Sequence, residues 1–110
     1  MRIAFIIGTA VATIKVPSLK GHRLLLAREA DVDGKPHGKP FVAVDTVDAG
    51  TGDLVIVTDG SSARYSELTR DLPVDAVVVG VLDSLETSGK FTFQKSQYVS
   101  RIPGGDTGKG

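Results

Sequence analysis

Two runs rich in valine, residues 41–47 and 54–57, are separated only by Asp48-Ala49-Gly50-Thr51-Gly52-Asp53. That spacing constrains the fold more than any other feature. Runs this short, β-branched and bounded by glycine and aspartate, are strands joined by a tight loop. The two glycines permit positive φ or close backbone approach, which a side chain opposes. Further on, Asp59-Gly60-Ser61-Ser62 reads as a turn into a short helix over residues 59–68, capped by Ser61 or Ser62 and stopped by Pro73. Nothing in this stretch sets a nucleophile beside a base.

The rest of the chain follows the same short-strand pattern. Residues 1–10 superficially resemble a signal peptide, with a basic residue, an apolar run and small residues. The run is short and β-branched, and its alternation continues to Val16, so residues 2–16 are expected to form a first strand bent or bulged at Gly8. A loop at 17–22 leads to a second strand at 23–30. Leu24-Leu25-Leu26-Ala27 also suits a helix by propensity, but the segment is short and closed in by turn residues. Residues 31–40, DVDGKPHGKP, hold two glycines and two prolines and are expected to be an irregular, mobile surface loop. Residues 75–85 read as a long strand with Gly80 as a bend, and Thr87-Ser88-Gly89-Lys90 as a hairpin turn into Phe91-Thr92-Phe93. Glycine and polar residues dominate from Ser100 onward, which divides the chain into a domain over 1–99 and a frayed tail over 100–110. About six strands, one short helix and no crossover-length helix point to an all-β fold, a small antiparallel barrel.

Composition removes whole classes of function. The 110 residues suit one domain, and 13 basic against 13 acidic residues leave no net field for a nucleic-acid backbone or an anionic membrane. Without cysteine there is no thiolate nucleophile, disulfide or cysteine zinc site, and the absence suits an intracellular protein. No apolar run approaches the roughly 20 residues that a membrane-spanning helix needs.

The candidate chemical motifs are weak. Residues 104–110 suggest a phosphate loop but fail on spacing and lack the hydroxyl residue after Lys109. Gly60-Ser61-Ser62 could hold an anion at a helix start, although a cap explains the same residues. Arg64 is expected to pair with an acid across a contact. His22 and His37 lie in loop-like sequence with no partners at metal-ligand spacing. Asp45 and Asp83 interrupt apolar runs, and turn and strand-end roles account for most of the other aspartates. Phe91 and Phe93 alternate and could stack bases, but Lys90 and Lys95 are the only cations nearby, so core packing or a subunit contact fits them better.

In order along the chain stand Gly8-Thr9-Ala10-Val11-Ala12-Thr13 with Lys15, Leu24-Leu25-Leu26, Val42-Ala43-Val44-Asp45, Asp48 to Asp53, Gly60-Ser61-Ser62-Ala63-Arg64, Pro73-Val74-Asp75-Ala76 and Val79-Gly80-Val81-Leu82-Asp83. This pattern closely resembles the vertex proteins of bacterial microcompartments, the pentameric shell proteins of the carboxysome and ethanolamine-utilisation type. It departs from them at Asp48, where Gly is usual, and at Asp53, where Glu is usual. The resemblance implies a small oligonucleotide-binding-like (OB-like) barrel, a homopentamer at the five-fold corners of a cytoplasmic shell built with hexameric shell proteins, and neither catalysis nor a cofactor. In such a ring Ala49, Gly50, Thr51 and Gly52 are candidates for the axis or pore, and Ser61, Ser62 and Arg64 for contacts with neighbouring subunits or shell tiles. The competing expectation is a barrel module that binds single-stranded nucleic acid or a small anion.

Overall fold

A computed structural model describes residues 1–59 and 75–95. Seven strands run through these described residues: β1 (Arg2–Ala10), β2 (Arg23–Ala30), β3 (Pro36–Asp45), β4 (Leu54–Asp59), β5 (Ala76–Val81), β6 (Ser84–Thr87) and β7 (Lys90–Gln94). A 3-10 turn occupies Pro17–Leu19. The first five strands close into a barrel in the order β1-β2-β3-β5-β4, and β6 and β7 form a separate two-stranded ribbon.

The all-β barrel expected from the sequence is present, but it is mixed and not antiparallel throughout. β3 and β5 run parallel through Val44–Val77 and Asp45–Val78, whereas the other four seams are antiparallel. The cause is topological. A closed ring with an odd number of strands cannot alternate direction all the way round, so five strands force at least one parallel seam. The short helix expected over 59–68 lies beyond Asp59 outside the described residues, as does the tail over 100–110.

Three strand boundaries differ from expectation. β1 ends at Ala10 instead of Val16, because residues 11–16 find no partner strand within the barrel. β3 begins at Pro36, so only residues 31–35 of the expected 31–40 loop lie between strands. The prolines are tolerated there: Pro36 opens the strand, and Pro40 falls where the β2–β3 register jumps from Glu29–His37 to Ala27–Phe41. The long strand expected over 75–85 breaks after Val81, and Ser84 starts β6. The glycine bends hold: the β1–β2 register shifts between Ile6 and Gly8, and β5 skips Val79 beside Gly80. Ser88 and Gly89 both have positive φ, 52° and 79°, as a tight two-residue hairpin requires.

The barrel interior is narrow, and its side chains show it. Ala4, Ala27, Ala43, Ala49 and Ala76 share one buried cluster with Ile6, Leu25, Val55, Val57 and Val78. Small residues facing large ones fill the short span across five strands. Outside the barrel, the β6–β7 ribbon packs on the β2–β3 turn: Thr92 Oγ1 donates to the Val32 carbonyl, and the Phe93 ring lies under Gly34.

Candidate functional site

The corner from β3 to β4 is organised by one carboxylate. Asp45 ends β3 with its side chain only 1% exposed. Its Oδ1 accepts the backbone N–H of Val47 at 3.1 Å and of Ala49 at 3.2 Å, so one oxygen satisfies two amides of the turning chain. Its Oδ2 faces Arg23 Nη1 at 3.4 Å, and the same guanidinium nitrogen donates to Asp48 Oδ1 at 2.8 Å. Thr46 Oγ1 donates to the Val78 carbonyl at 2.8 Å, which ties the corner to the parallel seam.

Asp53 secures the far side. Its Oδ2 accepts the Gly50 N–H at 2.8 Å, its own N–H donates to the Gly50 carbonyl at 3.0 Å, and Lys95 Nζ sits 3.8 Å from its Oδ1. The corner is then bonded to β1, because Ile6 N–H donates to the Asp53 carbonyl and Gly52 N–H to the Ile6 carbonyl, both at 2.9 Å. β3 and β4 are not neighbours in the sheet; both flank β5. The loop is therefore a crossing over the barrel end, not a plain hairpin turn. Positive φ falls at Asp48 (60°) and Gly52 (95°), whereas Gly50 has ordinary φ and open space where a Cβ would stand.

This geometry separates the four candidates for the axis. Ala49 is fully buried in the core, Gly50 and Gly52 are half-buried, and Thr51 is exposed at the tip. Ser61, Ser62 and Arg64 lie outside the described residues. Asp45 and Arg23 are the members of the corner that sequence patterns did not single out as a site. An acid interrupting an apolar run just before a glycine turn is the signal that marks such a staple.

His22 borders a cleft of about 310 Å³ with Gly21, Arg23, Asp45, Thr46 and Asp48, while His37 is exposed on β3. Among the described residues no group of three or more His, Cys, Asp or Glu side chains could hold a metal. Phe91 is 59% exposed and Phe93 7%, so the pair offers no shared stacking face. The β6–β7 register shift between Leu85 and Glu86 breaks the alternation that would have aligned them. Asp59 pairs with Arg2 at the barrel's edge.

Comparison with known proteins gives this geometry a family. Residues 1–83 match the family model described as ethanolamine utilisation protein EutN/carboxysome. The shell vertex protein EutN of Salmonella typhimurium is 37% identical over 95 residues, covering 86% of this chain and 96% of that protein. The carboxysome shell vertex protein CcmL of Synechocystis is 39% identical over 95 residues, covering 86% of this chain and 95% of that one. The solved structure of GrpN, a pentameric microcompartment shell protein from Rhodospirillum rubrum, superposes with a TM-score of 0.70 at 44% identity, covering 79% of this chain and 99% of that one. With the match running along most of its length and nearly all of theirs, this chain belongs to the EutN/carboxysome family of microcompartment shell vertex proteins.

Proposed function

We propose that this chain is a structural shell protein that assembles as a homopentamer and caps the five-fold vertices of a bacterial microcompartment in the cytoplasm, alongside hexameric shell proteins. The observation that carries this is coverage: nearly the whole of a pentameric shell protein, 99% of GrpN, aligns with this barrel at 44% identity. A vertex protein acts through shape, and a small barrel whose corner acids Asp45 and Asp53 hold the amides of a loop suits that task. Native mass spectrometry tests the reading. A mass of five 11.5 kDa protomers supports it, and a monomer at high concentration overturns it.

Within the ring, the Asp48 to Asp53 crossing is the proposed lining of the five-fold axis, with Thr51 as the side chain that faces the opening. A loop braced by Asp45, Asp53 and β1 holds its shape where five copies converge. Gly50→Val is the direct probe. Gly50 has ordinary φ, and among the described residues nothing but its own chain neighbours lies within 4 Å of the point where a Cβ would stand, so the protomer accepts valine while a crowded axis does not. Loss of the five-copy mass with an intact barrel supports the axial placement, and an unchanged pentamer refutes it. Ser61, Ser62 and Arg64 are proposed to contact neighbouring subunits or shell tiles. Pentamers and closed shells that survive Arg64→Ala would remove that assignment for Arg64.

A further inference from the structure

Beyond Ala10 the chain leaves the barrel ladder although its sequence, Val11-Ala12-Thr13-Ile14-Lys15-Val16, keeps the pattern of a strand. Val11 is 97% exposed and Val16 42%, and Ala12 and Thr13 also face solvent. None of the turn and loop backbone hydrogen bonds among the described residues involves residues 11–15. Among the described residues, then, this apolar, β-branched stretch pairs its backbone with no turn or loop and leaves all its side chains but the half-buried Ile14 exposed. Exposed apolar surface of this kind marks a contact with another molecule. Beside it opens a hollow of about 230 Å³, lined by Val11, Ile14 and Leu24 together with Thr9, His22 and Arg23.

We infer that residues 11–16 form a strap that one protomer lays against a second copy of this chain in the pentamer. The inference rests on the pentameric reading and deepens it by naming the contact. A closed ring of identical protomers joins two different patches of each copy, so each must expose surface that is unsatisfied in isolation. The strap meets that requirement in both its backbone and its side chains. Its single charge, Lys15, in a chain of zero net charge suits a protein surface and gives no basic patch for nucleic acid or an anionic membrane. It also continues directly from β1, so the barrel fixes its direction.

The absence of cysteine makes the test clean. Val11→Cys and, as a control, Val32→Cys, at a position 50% exposed in the β2–β3 turn, each introduce one thiol. Their maleimide labelling rates are compared in assembled protein and in the same protein unfolded in urea. Assembly should slow labelling of Val11→Cys at least tenfold and leave Val32→Cys within about twofold. Val11→Asp, at a site that is open in the protomer, should give protomer mass with the barrel's circular dichroism retained. A five-copy wild type in which Val11→Cys labels as fast as Val32→Cys overturns the strap alone. So does protection that appears only when hexameric shell proteins are added. A wild type of protomer mass overturns the pentameric reading and the strap together.

Discussion

Replacing Asp45 tests whether one carboxylate holds the β3–β4 crossing. In Asp45→Ala the N–H of Ala49, a residue with no exposed surface, loses its acceptor, and so does the half-buried Val47 N–H. An unsatisfied buried donor costs about 1–3 kcal/mol, and the less buried one costs less because water reaches it. The ion pair adds little: Arg23 is about half exposed and keeps Asp48 at 2.8 Å, so its loss falls in the roughly 0–1 kcal/mol range of surface pairs. The expected loss is about 2–4 kcal/mol. Asp45→Asn keeps an oxygen where Oδ1 stands but turns an amide NH2 toward Arg23 Nη1 in place of Oδ2, so it loses the charge and that acceptor for an expected cost of about 1 kcal/mol. Urea unfolding followed by circular dichroism gives both values, at one fixed protomer concentration because assembly couples to stability. Asn as damaging as Ala would show that the contact of Oδ2 with Arg23, and not the two amide bonds, holds the corner. An Ala variant within about 0.5 kcal/mol of wild type would remove the staple altogether, since that is the ordinary scatter of surface substitutions.

Three other substitutions probe the supports around the barrel. Gly34→Ala should destabilise by about 1–3 kcal/mol, because Gly34 has φ 87° and a Cβ there would lie 2.9 Å from Phe93 Cδ1; amide exchange should rise first in β6 and β7. Arg2 reaches Glu29 at 2.7 Å and Asp59 at 3.0 Å, and stacks 4.0 Å over the Phe41 ring, so it links β1 to β2, β4 and β3. Arg2→Met should cost about 1–2 kcal/mol in a low-salt thermal melt and less at molar salt, where the ion pairs are screened. Ala43→Leu should lower the urea midpoint by the equivalent of about 1–3 kcal/mol despite its greater hydrophobicity, because Ala43 is 1% exposed in a narrow core.

Local chemistry made most of the strands legible. Leu24-Leu25-Leu26 proved to be β2 because its alternate members, Leu25 and Ala27, are buried while Leu24 and Leu26 are only partly covered, a period of two that leucine's helix propensity masks. The turn at Ser88 and Gly89 was legible because positive φ at two successive positions has few solutions in sequence. The parallel seam was not, since it depends on how many strands close the ring, and that number belongs to no single segment. The prolines at 36 and 40 misled for a related reason. A proline forbids a ladder hydrogen bond, but whether one is needed at that position depends on the register of the partner strand. At the corner, the glycines announced a turn, while the role of Asp45 depended on which amides the folded chain brings to its oxygen.

Residues 11–16 show the same limit from the other side. β-branched alternation measures how well a segment would pair, not whether a partner exists within the chain. Where the pattern persists and the barrel supplies no partner, the mismatch is itself informative. A strand-forming sequence left at the surface should be exposed to edge-to-edge association, and proteins ordinarily blunt such segments with charge or proline. Here Lys15 and Pro17 stand only at the far end, and Val11 to Ile14 carry neither. A stretch left unguarded next to a closed barrel is best explained by a surface that is covered once the ring assembles, where pairing with the neighbour replaces the protection that charge would otherwise give.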